Sequence, residues 1–148
     1  MAVAIRTMTE ADRPAWVRMR RQLWPDGSAA EHGEDTARLL AENNVWAFLA
    51  EGMDNEPLGF AELAIRPYAN GLDGRPVPFL EGIFVASPYR RQGIARALLA
   101  HIEDFLRARG FTELGSDTEE ENRASQSAHR AWGFRETERV VYFRKRLS

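Results

Sequence analysis

Apolar positions recur along the chain at two spacings, one suited to strands and one to helices, and their alternation lays out the elements. Residues 3–8 alternate as a first strand, and Thr9 with Asp12 then supplies N-cap chemistry for a helix. Trp16, Met19 and Leu23 share one face of that helix. Pro14 fits only near its start, and Trp24-Pro25-Asp26-Gly27 stops it. A second helix is predicted over residues 28–42, with Leu39 and Leu40 as its main apolar contribution and Gly33 as its weak point. Residues 45–50 are apolar and aromatic without a polar interruption, as in a strand covered on both faces. Residues 58–65 form its neighbour. The Gly, Asp, Asn and Pro of residues 51–57 read as a hairpin connection, so this pair is antiparallel.

After an irregular segment, residues 66–78, comes a strand over 79–85 that is apolar except for Glu81 and Gly82. Ile94, Leu98, Ile102 and Phe105 then recur at helical spacing, and Arg109-Gly110 ends that helix. A short strand at 113–117, a helix at 125–132 closed by Gly133, and a last strand at 138–146 complete the chain. Strict βαβ alternation is missing. The reading is therefore one α/β domain of the α+β kind, with a mixed sheet.

The join at residues 88–95, Pro-Tyr-Arg-Arg-Gln-Gly-Ile-Ala, links strand to helix through a basic turn. First-turn helix amides have no partner within the helix and carry the positive end of its dipole, so such a join makes an anion site suited to a pyrophosphate. Gly93 has no Cβ to hold a ligand off the backbone, and Arg90, Arg91 and Arg96 add positive charge. The same residues also read as a solvated basic turn capping a core helix. A P-loop ending and the dinucleotide-binding glycine fingerprint are both missing.

Composition narrows the classes. A chain of 148 residues suits one domain, and 44% hydrophobic with 28% charged residues argues against disorder. No apolar run approaches the ~20 residues needed to cross a bilayer, and the N-terminal residues lack a signal-peptide pattern. Cysteine is absent, which excludes disulfides and thiolate metal sites and fits a cytoplasmic enzyme; no metal is expected. A net charge of -2 argues against a general nucleic-acid binder. Asp117 and the run Glu119 to Glu121 oppose the arginine cluster, which suggests one region for phosphates and one for a cation. The run Glu119 to Glu121 also reads as a solvated loop feeding a helix start.

Arg90-x-x-Gly93-x-Ala95 after an apolar strand resembles the acetyl-coenzyme A motif of the GNAT superfamily of N-acetyltransferases. Asn122, Ala128-His129 and Trp132-Gly133-Phe134 resemble the next motif of that family. Over nearly the whole chain, Gln22-Leu23-Trp24-Pro25, residues 79–85, Ser116-Asp117-Thr118 and Glu136-Thr137-Glu138-Arg139 resemble aminoglycoside 6'-N-acetyltransferases of the chromosomal type. The resemblance implies a GNAT-like fold, with a mixed central sheet flanked by helices, and acetyl-CoA as co-substrate. The co-substrate would be held by the backbone of Ile83, Phe84 and Val85, by Arg90, Arg91, Gln92, Gly93, Ile94, Ala95 and Arg96, and by Asn122. It implies a cationic acceptor held by Trp24, Tyr68, Asp73, Glu81, Asp117 and Glu138, catalysis by Glu81, Asp117 and His129, and a homodimer.

Direct transfer to an amine needs a polarised acyl carbonyl, an unprotonated amine and a stabilised leaving thiolate. Without cysteine, a cysteine-linked acetyl enzyme is impossible. Glu81, in an apolar strand, requires a partner or a purpose: it either takes the amine's proton or pairs with an arginine. His129 stands where many GNAT enzymes have a tyrosine acting as general acid, and a lone helix histidine also reads as structural. Asn122 also reads as an N-cap, Trp24 as a cover on the core, Tyr68 as a loop anchor and Asp117 as a turn cap. Two other functions remain open, a GNAT enzyme acting on a polyamine or other cationic metabolite and an inactive CoA-binding interaction module. Intact Glu81 and Asp117 favour the enzymes.

Overall fold

A computed structural model describes residues 2–148. Strand β1 (Ala4–Thr7) leads through a 3-10 turn (Glu10–Asp12) into helix α1 (Arg13–Leu23), and helix α2 (Ala29–Ala41) follows. The Thr9 N–H donates to Asp12 Oδ2 at 2.7 Å, which fixes the start of the first helical segment. Ser28 and Glu31 cap α2 reciprocally, each backbone N–H donating to the other's side chain. Strands β2 (Val45–Glu51), β3 (Pro57–Arg66) and β4 (Val77–Val85) run antiparallel, as the hairpin residues predict. Helix α3 (Ile94–Arg107) then crosses over to β5 (Gly115–Ser116), which lies parallel to β4, and α4 (Arg123–Ala131) ends the regular structure. The sheet order is β1-β2-β3-β4-β5, so the predicted mixed sheet is present.

Both faces of the sheet are covered, which is why β2 and β3 read as nearly continuous apolar runs. On one face Phe48, Leu58, Leu63 and Leu80 pack against Ile94, Leu98, Ile102 and Leu106 of α3. On the other, Leu49, Phe60 and Phe84 meet Trp16 and Met19 of α1. The expected helix bounds agree within a few residues, because caps and apolar period are both local properties.

Strands depart further from expectation. The strand predicted at 113–117 is reduced to Gly115–Ser116, since β5 finds partners only at Phe79 and Leu80. The strand predicted at 138–146 does not form. Residues 134–148 are neither helix nor strand, because no sheet edge within the chain reaches them.

One polar feature lies inside the core. Glu62, 4% exposed on β3, accepts hydrogen bonds from Trp16 Nε1 at 2.9 Å and from Arg20 Nη1 at 2.5 Å. Arg20 also donates to His32 Nδ1, and the opposite nitrogen of His32 donates to the Trp24 carbonyl at 3.0 Å. Burial pushes the Glu62 carboxyl up from its ordinary range, opposed by Arg20 and Trp16. Removing one partner of a buried pair leaves the other charge uncompensated. Glu62→Ala is therefore expected to lower unfolding free energy by about 3–5 kcal/mol, measured by urea denaturation.

Candidate active site

The turn after β4 presents its backbone to open space. Gly93 has φ +80° and is the N-cap of α3, and a Cβ added there would meet no protein atom within 4 Å. No side chain caps this helix, so its first amides remain available. Arg91 also has positive φ, 64°, and the backbone curls around the helix start. Two of the three arginines are tied down: Arg90 Nε donates to the Val85 carbonyl at 2.8 Å, and Arg96 Nη2 to the Ala131 carbonyl at 2.8 Å. Arg91 and Gln92 are exposed, Ala95 is half-buried beside them, and Gln92 donates to the Pro88 carbonyl. The side chain of Ile94 belongs to the core, so only its amide faces the turn.

Strand β4 carries an extra residue. Leu80 pairs with Leu63 and Gly82 with Glu62, so Glu81 is bulged out of the ladder. The bulge exchanges the faces of β4. Leu80 packs with the α3 cluster, while Phe84, which would otherwise share its face, packs with the α1 cluster. On the opposite edge, pairing with β5 stops at Leu80, so Ile83 to Val85 run on with no sheet neighbour on that side.

Glu81 faces Arg66 at the end of β3. Nε and Nη2 of Arg66 donate to the two carboxylate oxygens at 2.8 and 2.7 Å, and the guanidinium carbon lies 3.7 Å from the centre of the Phe79 ring. The Arg66 guanidinium is raised above its ordinary range, chiefly by this bond and also by the fields of Glu81, Asp117 and Tyr142. Of the two readings of Glu81, the arginine partner is thus present. Asp117 follows the Leu80–Ser116 pair directly, so it stands beside Glu81 at the mouth of the opening, and it is exposed.

Trp24 lies over this part of the strand. A Cβ on Gly82 would come 2.5 Å from the Trp24 ring, so only glycine lets the ring rest on the backbone here. Phe60 meets the ring edge-on, and the Arg20 guanidinium sits 4.7 Å from its centre. Tyr68 is 61% exposed in the 67–76 loop, with the Arg75 guanidinium 5.5 Å from its ring. Asp73 is exposed in the same loop. The C-terminal segment crosses this loop: Thr137 and Glu138 pack against Gly71, and Asn70 Nδ2 donates to the Tyr142 hydroxyl at 3.4 Å.

His129 is engaged at both nitrogens. One faces the Ser125 carbonyl at 2.7 Å and the other the Ser116 hydroxyl at 2.7 Å, so the ring ties α4 to β5. Asn122 caps α4 through Oδ1, which accepts from the Ser125 amide. Glu120 pairs with Arg139, and Glu119 to Glu121 lie on the surface, as the solvated-loop reading has it.

The structure therefore gathers Trp24, Glu81 and Asp117 at the β4–β5 opening, with Tyr68, Asp73 and Glu138 on the loop and segment beside it. Sequence reasoning missed Arg66, Tyr142 and the glycine seat of Trp24. Contacts between segments distant in the chain decide all three, and the only local signal was an arginine beside a predicted loop.

Residues 7–134 match the model of the acetyltransferase (GNAT) family. An aminoglycoside N(6')-acetyltransferase type 1 of Serratia marcescens is 46% identical over 90% of this chain and 92% of its own length. Its counterpart in Stenotrophomonas maltophilia is 45% identical over 99% and 95%. Among solved structures, AAC(6')-Iy in complex with the bisubstrate analog CoA-S-monomethyl-acetylneamine superposes with a TM-score of 0.91 at 40% identity, covering 99% of this chain and 100% of that one. A match of this extent, on a sheet that opens beside a glycine turn, places the chain in the GNAT family of acetyltransferases.

Proposed function

We propose that this protein transfers the acetyl group of acetyl-CoA directly to the 6'-amine of an aminoglycoside and so confers resistance to it. The likeness to enzymes of that name over nearly the whole chain carries this reading. The structure with a bisubstrate analog supports it for both halves of the site.

The residues fit the co-substrate. Open space around Gly93, uncapped helix amides and exposed Arg91 suit a pyrophosphate, and the free edge of Ile83 to Val85 suits an amide-bearing arm. Bound there, acetyl-CoA supplies an acyl group already activated as a thioester. The protein's own part is to hold the acceptor amine beside that edge and remove its proton, so that the nitrogen bonds to the acyl carbon as the carbon–sulfur bond breaks and the CoA thiolate leaves to take a proton from water. Glu81 takes the charge of the amine and, directly or through water, its proton. Asp117, Asp73 and Glu138 hold the other ammonium groups, and Trp24 and Tyr68 form flat walls. His129 enters this proposal as the anchor of Ser116, with both nitrogens in use, and Asn122 as the cap of α4 beside the opening. A cytoplasmic location belongs to the same reading; no helix among the described residues is long and apolar enough to cross a membrane.

A homodimer is also proposed. Val141, Tyr142, Phe143 and Leu147 are 75%, 79%, 92% and 88% exposed along a segment with no strand partner. A second copy would cover these side chains and supply the missing neighbour.

Thiol release with kanamycin-type and gentamicin-type acceptors, followed by mass spectrometry of the product, tests the activity. Acetyl at the 6'-amine is the expected result, and acetyl elsewhere, or turnover with polyamines alone, contradicts it. Gly93→Val should weaken CoA binding by tenfold or more, roughly the loss of one or two backbone contacts to a charged group. Calorimetry reads this, with Gly93→Ala controlling for the strain of a side chain at positive φ. Light scattering should give twice the chain mass, and Val141→Asp with Phe143→Asp should return a single chain.

A further inference from the structure

Arg66 has no part in the reading above, yet it holds the central carboxylate. Its guanidinium donates to both oxygens of Glu81, lies over the Phe79 ring, and sits in the fields of Asp117 and Tyr142. A paired carboxylate, an aromatic face and a second carboxylate together form a receptor for a cation. That receptor is filled from within the chain.

We infer that Arg66 is a resident cation standing where a charged amine of the acceptor must bind, so that the acceptor engages Glu81 by displacing it. This rests on the reading that Glu81 receives the acceptor amine. The geometry permits the exchange. Arg66 is the last residue of β3, at the edge of the 67–76 loop, and its side chain is 37% exposed while that of Glu81 is 29% exposed. Partly exposed ion pairs are weak, because water screens them and compensates either partner once they separate. By contrast, the buried pair between Arg20 of α1 and Glu62 of β3, at 9% and 5% exposure, has no such freedom. Displacement also changes the partner of Glu81. In the ligand-free chain both oxygens of Glu81 are paired with Arg66, and the arriving amine takes that partner's place beside the carboxylate.

A double-mutant cycle decides between this role and two others. Kanamycin would be titrated calorimetrically into the CoA-loaded protein and into Arg66→Met, Glu81→Gln and the double variant, with Arg66→Gln as a second replacement and a thermal melt for each. A resident competitor predicts that Arg66→Met tightens kanamycin binding by roughly two- to fivefold, the worth of one partly exposed ion pair, and that the gain disappears when Glu81 is Gln. Weaker binding in Arg66→Met would make Arg66 a scaffold for Glu81 and overturn the inference. Unchanged affinity, or an equal gain in both backgrounds, would reduce it to a structural or merely repulsive charge and overturn it as well. If the unmodified protein bound no kanamycin, the aminoglycoside reading would fall, and the same cycle run with spermidine would still judge Arg66.

Discussion

The extra residue in β4 is the constraint on which the rest of the site depends. At Phe79 and Leu80 the strand is paired on both edges, to β3 and to β5. At Glu81 the register with β3 slips and the faces exchange, and pairing with β5 has ended one residue before, at Leu80 and Ser116. A regular strand would have sent the Glu81 side chain into the face covered by α1. The bulge instead aims a carboxylate outward beside an opening whose β4 edge carries free backbone groups, a use of irregularity common next to functional sites. The glycine turn follows at the end of the same strand, so the uncapped helix start, the free strand edge and the carboxylate lie along one continuous piece of backbone.

Behind that opening stands a buried polar network whose worth is positional. Arg20, Glu62, Trp16 and His32 satisfy one another, and no buried side-chain nitrogen or oxygen among the described residues lacks a partner. Replacing a buried ion pair with apolar residues is often neutral for stability, so its presence is not explained by energy alone. What it does is fix direction. His32 holds the Trp24 carbonyl and Arg20 faces the Trp24 ring, so the aromatic wall is held against Gly82 rather than free to turn.

Charge is divided between two sides of one cleft. Arginines at the α3 start suit phosphates, while Glu81, Asp117, Asp73 and Glu138 suit a polycation. Arg66 is the exception on the acidic side, and its raised affinity for its proton follows from the carboxylates around it. A resident cation among several carboxylates limits their mutual repulsion when no ligand is bound. The C-terminal segment lies on the same side, through Tyr142 and Glu138.

Helices and the glycine turn were legible in the sequence because their causes are local: caps at Thr9 and Ser28, apolar period in α1 and α3, and Gly93 at positive φ. The family resemblance named Trp24, Glu81 and Asp117, and the structure brings them to one opening. It could not name Glu81's partner, since the Arg66 pairing depends on a bulge that no run of apolar residues announces. For the same reason Gly82 read as an interruption, though it seats an indole ring that arrives from α1. The segment at 138–146 carries a β-branched and aromatic run, Val140 to Phe143, suited to a strand, but a strand exists only where another backbone lies alongside, and none does among the described residues. Sequence by itself determined which segments were fit to be helix, strand or anion-binding turn. Register, edge and partner are relations between segments far apart in the chain, and only the tertiary structure decided them.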